Sequence, residues 1–323
     1  MSRRGKHKKS GKRLAYGIIA VAFILICIVT YSYLNSPNSP PDQLSSKAAI
    51  VDHLSFREET RNETFRNSSI SILEAAGFDV TYHPGETVTV NFFENLISQN
   101  YGLIVLRVHS AIIGNSTNLG LFTSELLDES KYDTPSAPYY DDVLNERVVQ
   151  AYFPDDPTRY FAIAPRFIEK YGNLQNTTII MMGCDGLKYN KTAEAFIKKG
   201  AKVCIGWNGL VSTCHTDHAT TRLLQHLVQK DTIGEAVEKT RKEVGTEKTY
   251  VSDQGYESEL KYYPENAGSY IPKTILRILD IKNLRANAAL VKEENNGTRL
   301  NWLYYVFFFG TQILRAHVVG KEP

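Results

Sequence analysis

Two residues in this chain have the types and settings to do chemistry together: Cys184, in the run TIIMMGCD, and His109, in the run LIVLRVHS. Each stands just past a short apolar stretch of the kind that forms a strand buried on both faces of a parallel sheet. A thiol becomes a nucleophile when its pKa is lowered or a base takes its proton. Histidine suits the base role because its unperturbed pKa lies near neutral pH. The two residues are far apart along the chain, yet consecutive parallel strands bring their ends to one edge of a sheet, where such folds place ligand crevices. Main-chain N–H groups at the two turns would then face a tetrahedral oxyanion. On pairing alone, a structural cysteine answers to the same pattern.

The elements that must position these residues can be read from periodicity and turn chemistry. Residues 47–51 predict a strand, followed by a helical stretch with Phe65, Ile72, Leu73 and Ala76 on its apolar side and Gly77 as its cap. Residues 79–82 predict a second strand, 89–99 a helix, and 102–108 a third strand ending at His109. A long irregular insert follows, with a hairpin around 121–127, the acidic loop DESKYDTPSAPYYDD, and a short helix opened by Pro165 and stopped near Gly172. The strand 178–182 then breaks at Gly183-Cys184-Asp185-Gly186, where the glycines allow a sharp bend. A helix, an apolar strand at 202–207, a helix capped by Thr216 or Asp217, and a helix opened by a Thr232/Glu235 capping box complete the pattern up to Gly245. This alternation predicts an α/β fold, a mostly parallel sheet with helices on both faces, over residues 47–245 with an insert at 111–176 and a C-terminal extension at 246–323.

Charge and hydropathy give an address. Seven of the 37 lysines and arginines precede Leu14, so the remaining 30 face 35 acids and the folded part is mildly acidic, which argues against nucleic acid as a partner. Residues 14–34 are free of charge. As a helix they would extend roughly 30 Å, a bilayer core. The basic head at 1–13 would stay in the cytoplasm, and everything beyond a proline-rich linker at 35–46 would lie outside the cell, held to the membrane by an uncleaved signal-anchor helix. Six Asn-x-Ser/Thr sequons, at Asn62, Asn67, Asn115, Asn176, Asn190 and Asn296, agree with an outside location as glycosylation sites. Of three cysteines outside the membrane segment, one pair can join, Cys204 with Cys214 first, leaving a free thiol. Cys214, Asp217 and His218 make a zinc site conceivable, but a single turn supplies all the ligands and the start of a helix is the simpler reading. No cofactor is implied. An aromatic run at 302–309 reads as a strand or as part of a second membrane pass.

The paired motifs LIVLRVHS and TIIMMGCD, with AEAFIKKGAKVCIGW following, resemble the caspase-like (clan CD) cysteine peptidases, which include caspases, gingipains, clostripain, legumain, separase and CHAT domains. The continuation is most similar to the gingipain and CHAT branch. The resemblance covers roughly residues 47–245 and implies that Cys184 is the nucleophile, His109 the base, and the N–H groups of Ser110 and Cys184 the oxyanion hole. Ser110 stands where most of that family has glycine. Met182 stands where metacaspases carry the acid that recognises a basic residue, which leaves Asp185 and Asp217 as nearby acids and Trp207 as a wall of the first substrate pocket. The expectation is a membrane-anchored extracellular endopeptidase acting on a protein or peptide substrate. The same dyad also fits acyl or peptide transfer, and the same fold fits a catalytically silent binding module, which a Cys184–Cys204 disulfide would favour.

Overall fold

A computed structural model of the chain describes residues 45–153, 156–272, 274–276 and 278, all within one compact unit that begins at Leu44. The basic head, the apolar segment 14–34, nearly all of the linker, Asn296 and residues 302–319 lie outside the described residues. Among the described residues no helix is long and apolar enough to cross a membrane.

In chain order the first half contains β1 (Lys47–Asp52), α1 (Glu63–Ala76), β2 (Asp79–Pro84), α2 (Val90–Ser98), β3 (Leu103–Arg107), β4 (Ser110–Ile112) and β5 (Leu119–Leu126). Next come α3 (Tyr140–Leu144), β6 (Val148–Phe153), β7 (Asp156–Ile163), α4 (Pro165–Tyr171), β8 (Thr177–Met181), α5 (Lys191–Lys198) and β9 (Ala201–Trp207). The remainder is α6 (Thr213–Val228), α7 (Ile233–Val244), α8 (Val251–Gln254) and β10 (Leu260–Tyr263).

Six strands form the main sheet in the order β10-β9-β8-β3-β1-β2, parallel from β2 through β9, with β10 antiparallel at the edge. The sheet does not end with Gly245, because β10 extends it beyond β9. Alternate residues feed two cores, as strand geometry requires. Ile104, Leu106, Ile179 and Met181 meet α2, α4 and α5, while Leu103, Val105, Ile180 and Met182 meet α1, α6 and α7. Helices cover both faces, the arrangement a parallel sheet needs to keep its apolar strands dry.

Local signals explain the helix ends. Gly77 closes α1 in the left-handed region (φ 104°), and the Thr232–Glu235 box opens α7. Helix α6 starts earlier than its sequence suggests: Ser212 is the N-cap, so Thr216 and Asp217 lie inside the helix and point into the core. The insert is not a hairpin with an irregular loop. Its strands form a second, antiparallel sheet in the order β4-β5-β7-β6. Leu119, Leu121, Phe161 and Ile163 on its inner face join the core beneath α2 and α4, and Phe122, Ala151 and Ala162 form a small cluster on the other face.

The three elements nearest the predicted site are tied by one buried cation. Arg107, at the end of β3, is 0 % exposed. Its Nη1 donates to Asp52 of β1 (2.7 Å), its Nε and Nη2 donate to both oxygens of Asp217 of α6 (2.7 and 2.8 Å), and Nη2 also reaches the Thr60 carbonyl (2.7 Å). Tyr82 and Asn62 donate to the remaining carboxylate positions. Burial pushes the Asp52 carboxyl up even with Arg107 opposing it, which reflects the desolvation cost such a group carries. Breaking a buried pair from one side leaves uncompensated charge. Arg107→Met should therefore lower unfolding free energy by about 3–5 kcal/mol in urea titrations. A loss within about 0.5 kcal/mol, the usual surface effect, would show that the network does not hold the fold.

Candidate active site

Strands β3 and β8 pair directly, Leu106 opposite Met181, and the Met182 N–H donates to the Leu106 carbonyl (2.9 Å). Both chains then turn, and the turns touch. The Ser110 hydroxyl donates to the Cys184 carbonyl (2.7 Å). A Cβ on Gly183 would meet Ser110 Oγ at 2.2 Å and the Val108 carbonyl at 2.3 Å, so only glycine fits between them. Asp185 completes the bend in the left-handed region (φ 58°), with its N–H on the Gly209 carbonyl (2.9 Å). The Ser110 side chain is thus spent on fixing the cysteine turn.

The His109 and Cys184 side chains leave this junction in different directions. The Cys184 thiol is half-buried against the segment entering α6: Sγ lies 3.5 Å from the Val211 N–H donor and 3.6 Å from the Val211 carbonyl. Burial raises the thiol pKa, the Val211 bond opposes this, and Asp185 and Glu247 add to the rise. The His109 ring sits between Phe122 (centroids 4.6 Å apart) and Phe153 (5.0 Å). Burial, and secondarily the Arg57 guanidinium that lies over the Phe153 ring, lower its pKa to about 4. The ring is therefore neutral at physiological pH and able to accept a proton. Among the described residues no hydrogen bond joins the ring to the thiol. The fold brings the two turns together but leaves His109 and Cys184 without a bond between them.

Of the two oxyanion donors expected, the direction of the Ser110 N–H follows from the strand register. Ser110 stands opposite Leu121 at a position where the neighbouring bond runs from Phe122 N–H to the His109 carbonyl (2.9 Å), so its own N–H is directed away from β5. No protein-family model matches this chain, and neither does any curated protein. The reading of the site therefore rests on its geometry.

Other expected site residues have different work. Trp207 is 1 % exposed; its Nε1 donates to Thr216 Oγ1 (3.0 Å), which donates to the Met182 carbonyl (2.9 Å). That relay supports the cysteine turn from below. Asp217 is consumed by Arg107, and Asp185 is buried beside Lys188 (3.4 Å). All three described cysteines are free. Cys204 is buried in β9 and Cys214 exposed on α6, which excludes both the Cys204–Cys214 and the Cys184–Cys204 bridges. Asp217 turns inward while Cys214 and His218 are exposed, so these three do not converge as ligands. Of the sequons, Asn67, Asn115 and Asn190 are exposed and Asn176 is half-buried. Asn62 is engaged on both sides of its amide: Oδ1 caps α1 at the Phe65 N–H (3.0 Å) and Nδ2 donates to Asp217 (2.9 Å).

Sequence reasoning missed several contributors. His53 directly follows β1 and is fully buried; its Nδ1 accepts the His109 N–H (3.4 Å), and burial lowers its pKa to about 3. Glu247 accepts from the Ser212 N–H (2.9 Å) and hydroxyl (2.5 Å) and from the Thr249 N–H (2.7 Å). Burial favours its neutral form, but those bonds outweigh it and hold the carboxyl at about 2, fixing the segment that carries Val211. The one visible signal was Arg107 itself, a charge inside an apolar strand, which requires a buried partner.

Two measurements follow from these protonation states. His109 has a folded pKa of about 4, below the unfolded value, so its contribution to stability is complete above pH ~6.5 and lost as pH falls through 4. Urea unfolding of the wild type should weaken over that window, and His109→Asn should flatten the slope; an unchanged slope would contradict the buried neutral ring. Alkylation by iodoacetamide, mapped by mass spectrometry, should label exposed Cys214 first and buried Cys204 only on unfolding. Cys184 should react slowly at pH 7 and faster above the ordinary thiol range of about 8.5. Rapid labelling of Cys184 throughout pH 5–8 would indicate a preformed thiolate and contradict the rise that burial imposes on its pKa.

Proposed function

We propose that this chain is a caspase-like cysteine endopeptidase, tethered by residues 14–34 with its α/β domain outside the cell, and that Cys184 and His109 form its dyad. The observation that carries the reading is the Ser110–Cys184 bond, which holds the turns after adjacent strands β3 and β8 in contact. In the resting site the thiol is protonated and the imidazole neutral, so proton transfer accompanies attack. Sγ leaves Val211 by rotation about its side-chain torsion, passes its proton to His109, and bonds to the substrate carbonyl carbon. The carbonyl's electron pair moves onto oxygen, where the Ser110 and Cys184 N–H groups receive it. Collapse of the tetrahedral intermediate breaks the C–N bond, and His109 returns the proton to the departing amine. Water, deprotonated by His109, then cleaves the thioester; an amine in its place would give transfer by the same steps.

A second reading is a catalytically silent module that binds a protein or peptide on the same fold. It is favoured by the thiol's attachment to Val211 and its raised pKa. The two separate in one assay: the full-length protein, Cys184→Ala and His109→Ala are incubated with a mixed peptide library and the products sequenced. The peptidase reading expects cleavage by the wild type alone, with His109→Ala reduced by about 10²- to 10⁴-fold. Identical products from all three proteins, or none, would select the silent module.

A further inference from the structure

The outer face of the second sheet carries small residues where a sealed sheet would carry large ones. Ala111, Gly120, Ala151 and Ala162 floor a cavity of about 340 Å³, and Phe122 and the His109 ring stand in its wall. That volume lies in the range of small-ligand pockets. No acidic residue, lysine or arginine lines it. Strand alternation fixes the side from which it is reached. Ser110 points to the cysteine turn, so its neighbour Ala111 points the opposite way, into the cavity. The cavity is thus continuous with the imidazole, on the face of β4 opposite the Ser110 side chain.

We infer that this trough is the subsite for the residue that carries the leaving amine, and that it takes a bulky apolar side chain of leucine or phenylalanine size. The inference rests on the peptidase reading. In that chemistry the acyl half of the substrate stays on sulfur, while the amine half departs from the group that protonates it. The departing half therefore lies on the imidazole side, where the only cavity beside His109 among the described pockets is apolar. Small floor residues leave room for the side chain, and transferring it from water supplies the affinity.

Gly120 offers a way to fill the trough. A Cβ there meets nothing closer than 3.4 Å, the Ile113 Cγ1, so a side chain would project into the cavity without displacing main chain. Peptides identical up to the cleaved bond and carrying phenylalanine, leucine, glycine or aspartate immediately after it would be compared on the full-length protein. Wild type should prefer phenylalanine and leucine over glycine by about tenfold to a hundredfold in kcat/KM, and Gly120→Leu should bring the ratio near unity. Ala111→Leu, on the half-exposed edge strand, fills the same space and serves if Gly120→Leu misfolds by circular dichroism. Calorimetry with the product-like dipeptide amides Phe-Gly-NH₂ and Gly-Gly-NH₂ reads the site without any cleavage. Tighter binding of the phenylalanine compound, lost in the filled variants, supports the subsite even if no peptide is cut, in which case only the peptidase reading fails. Equal binding of the two compounds, or a preference that survives filling, overturns the subsite whether or not peptides are cleaved.

Discussion

The buried guanidinium of Arg107 is the constraint on which the site region depends. It is reached by two carboxylates from separate elements and by a main-chain carbonyl, and it sits two residues before His109. A charge in that position is costly unless every donor is used, so the cost acts as a geometric demand. Strand β1, strand β3 and helix α6 must meet at one point for it to be satisfied. Helix α6 in turn carries Thr216, whose hydroxyl holds the main chain just before the cysteine turn. The positions of both reactive turns therefore follow from one interior ion cluster rather than from contacts between the reactive groups.

The main sheet was legible because its strands are short apolar runs ended by turn residues, and its helices carry clear caps. Lys47–Asp52, Leu103–Arg107 and Thr177–Met181 lie within a residue or two of where the pattern puts them. The insert was less legible for a physical reason. Its strands are antiparallel and face two environments, with small and polar residues alternating on the outer side, so β6 and β7 carry no long apolar run. The start of α6 was misplaced because Thr216 and Asp217 have the side chains of caps but are used instead for buried tertiary bonds. Strand β10 was missed because an edge strand of four residues, LKYY, has little to distinguish it.

The site itself was half legible. Adjacency of the two turns follows from strand order, and strand order follows from the βαβ rules that periodicity reveals. The directions of the side chains do not follow from such rules. They depend on Phe122 and Phe153, which lie on other strands, and on Val211, in a connecting segment with no periodic signal. Composition likewise shows a carboxylate but not whether an interior cation already claims it, as Arg107 claims Asp217.

The packing of the His109 ring has a mechanical corollary. The imidazole is clasped by aromatic rings belonging to the second sheet, whereas the sulfur is anchored to the loop that feeds α6 behind the first. The spacing of imidazole and sulfur is then not a property of either layer alone. A small slide of one layer over the other would lengthen or shorten that gap, while each layer kept its own internal bonds.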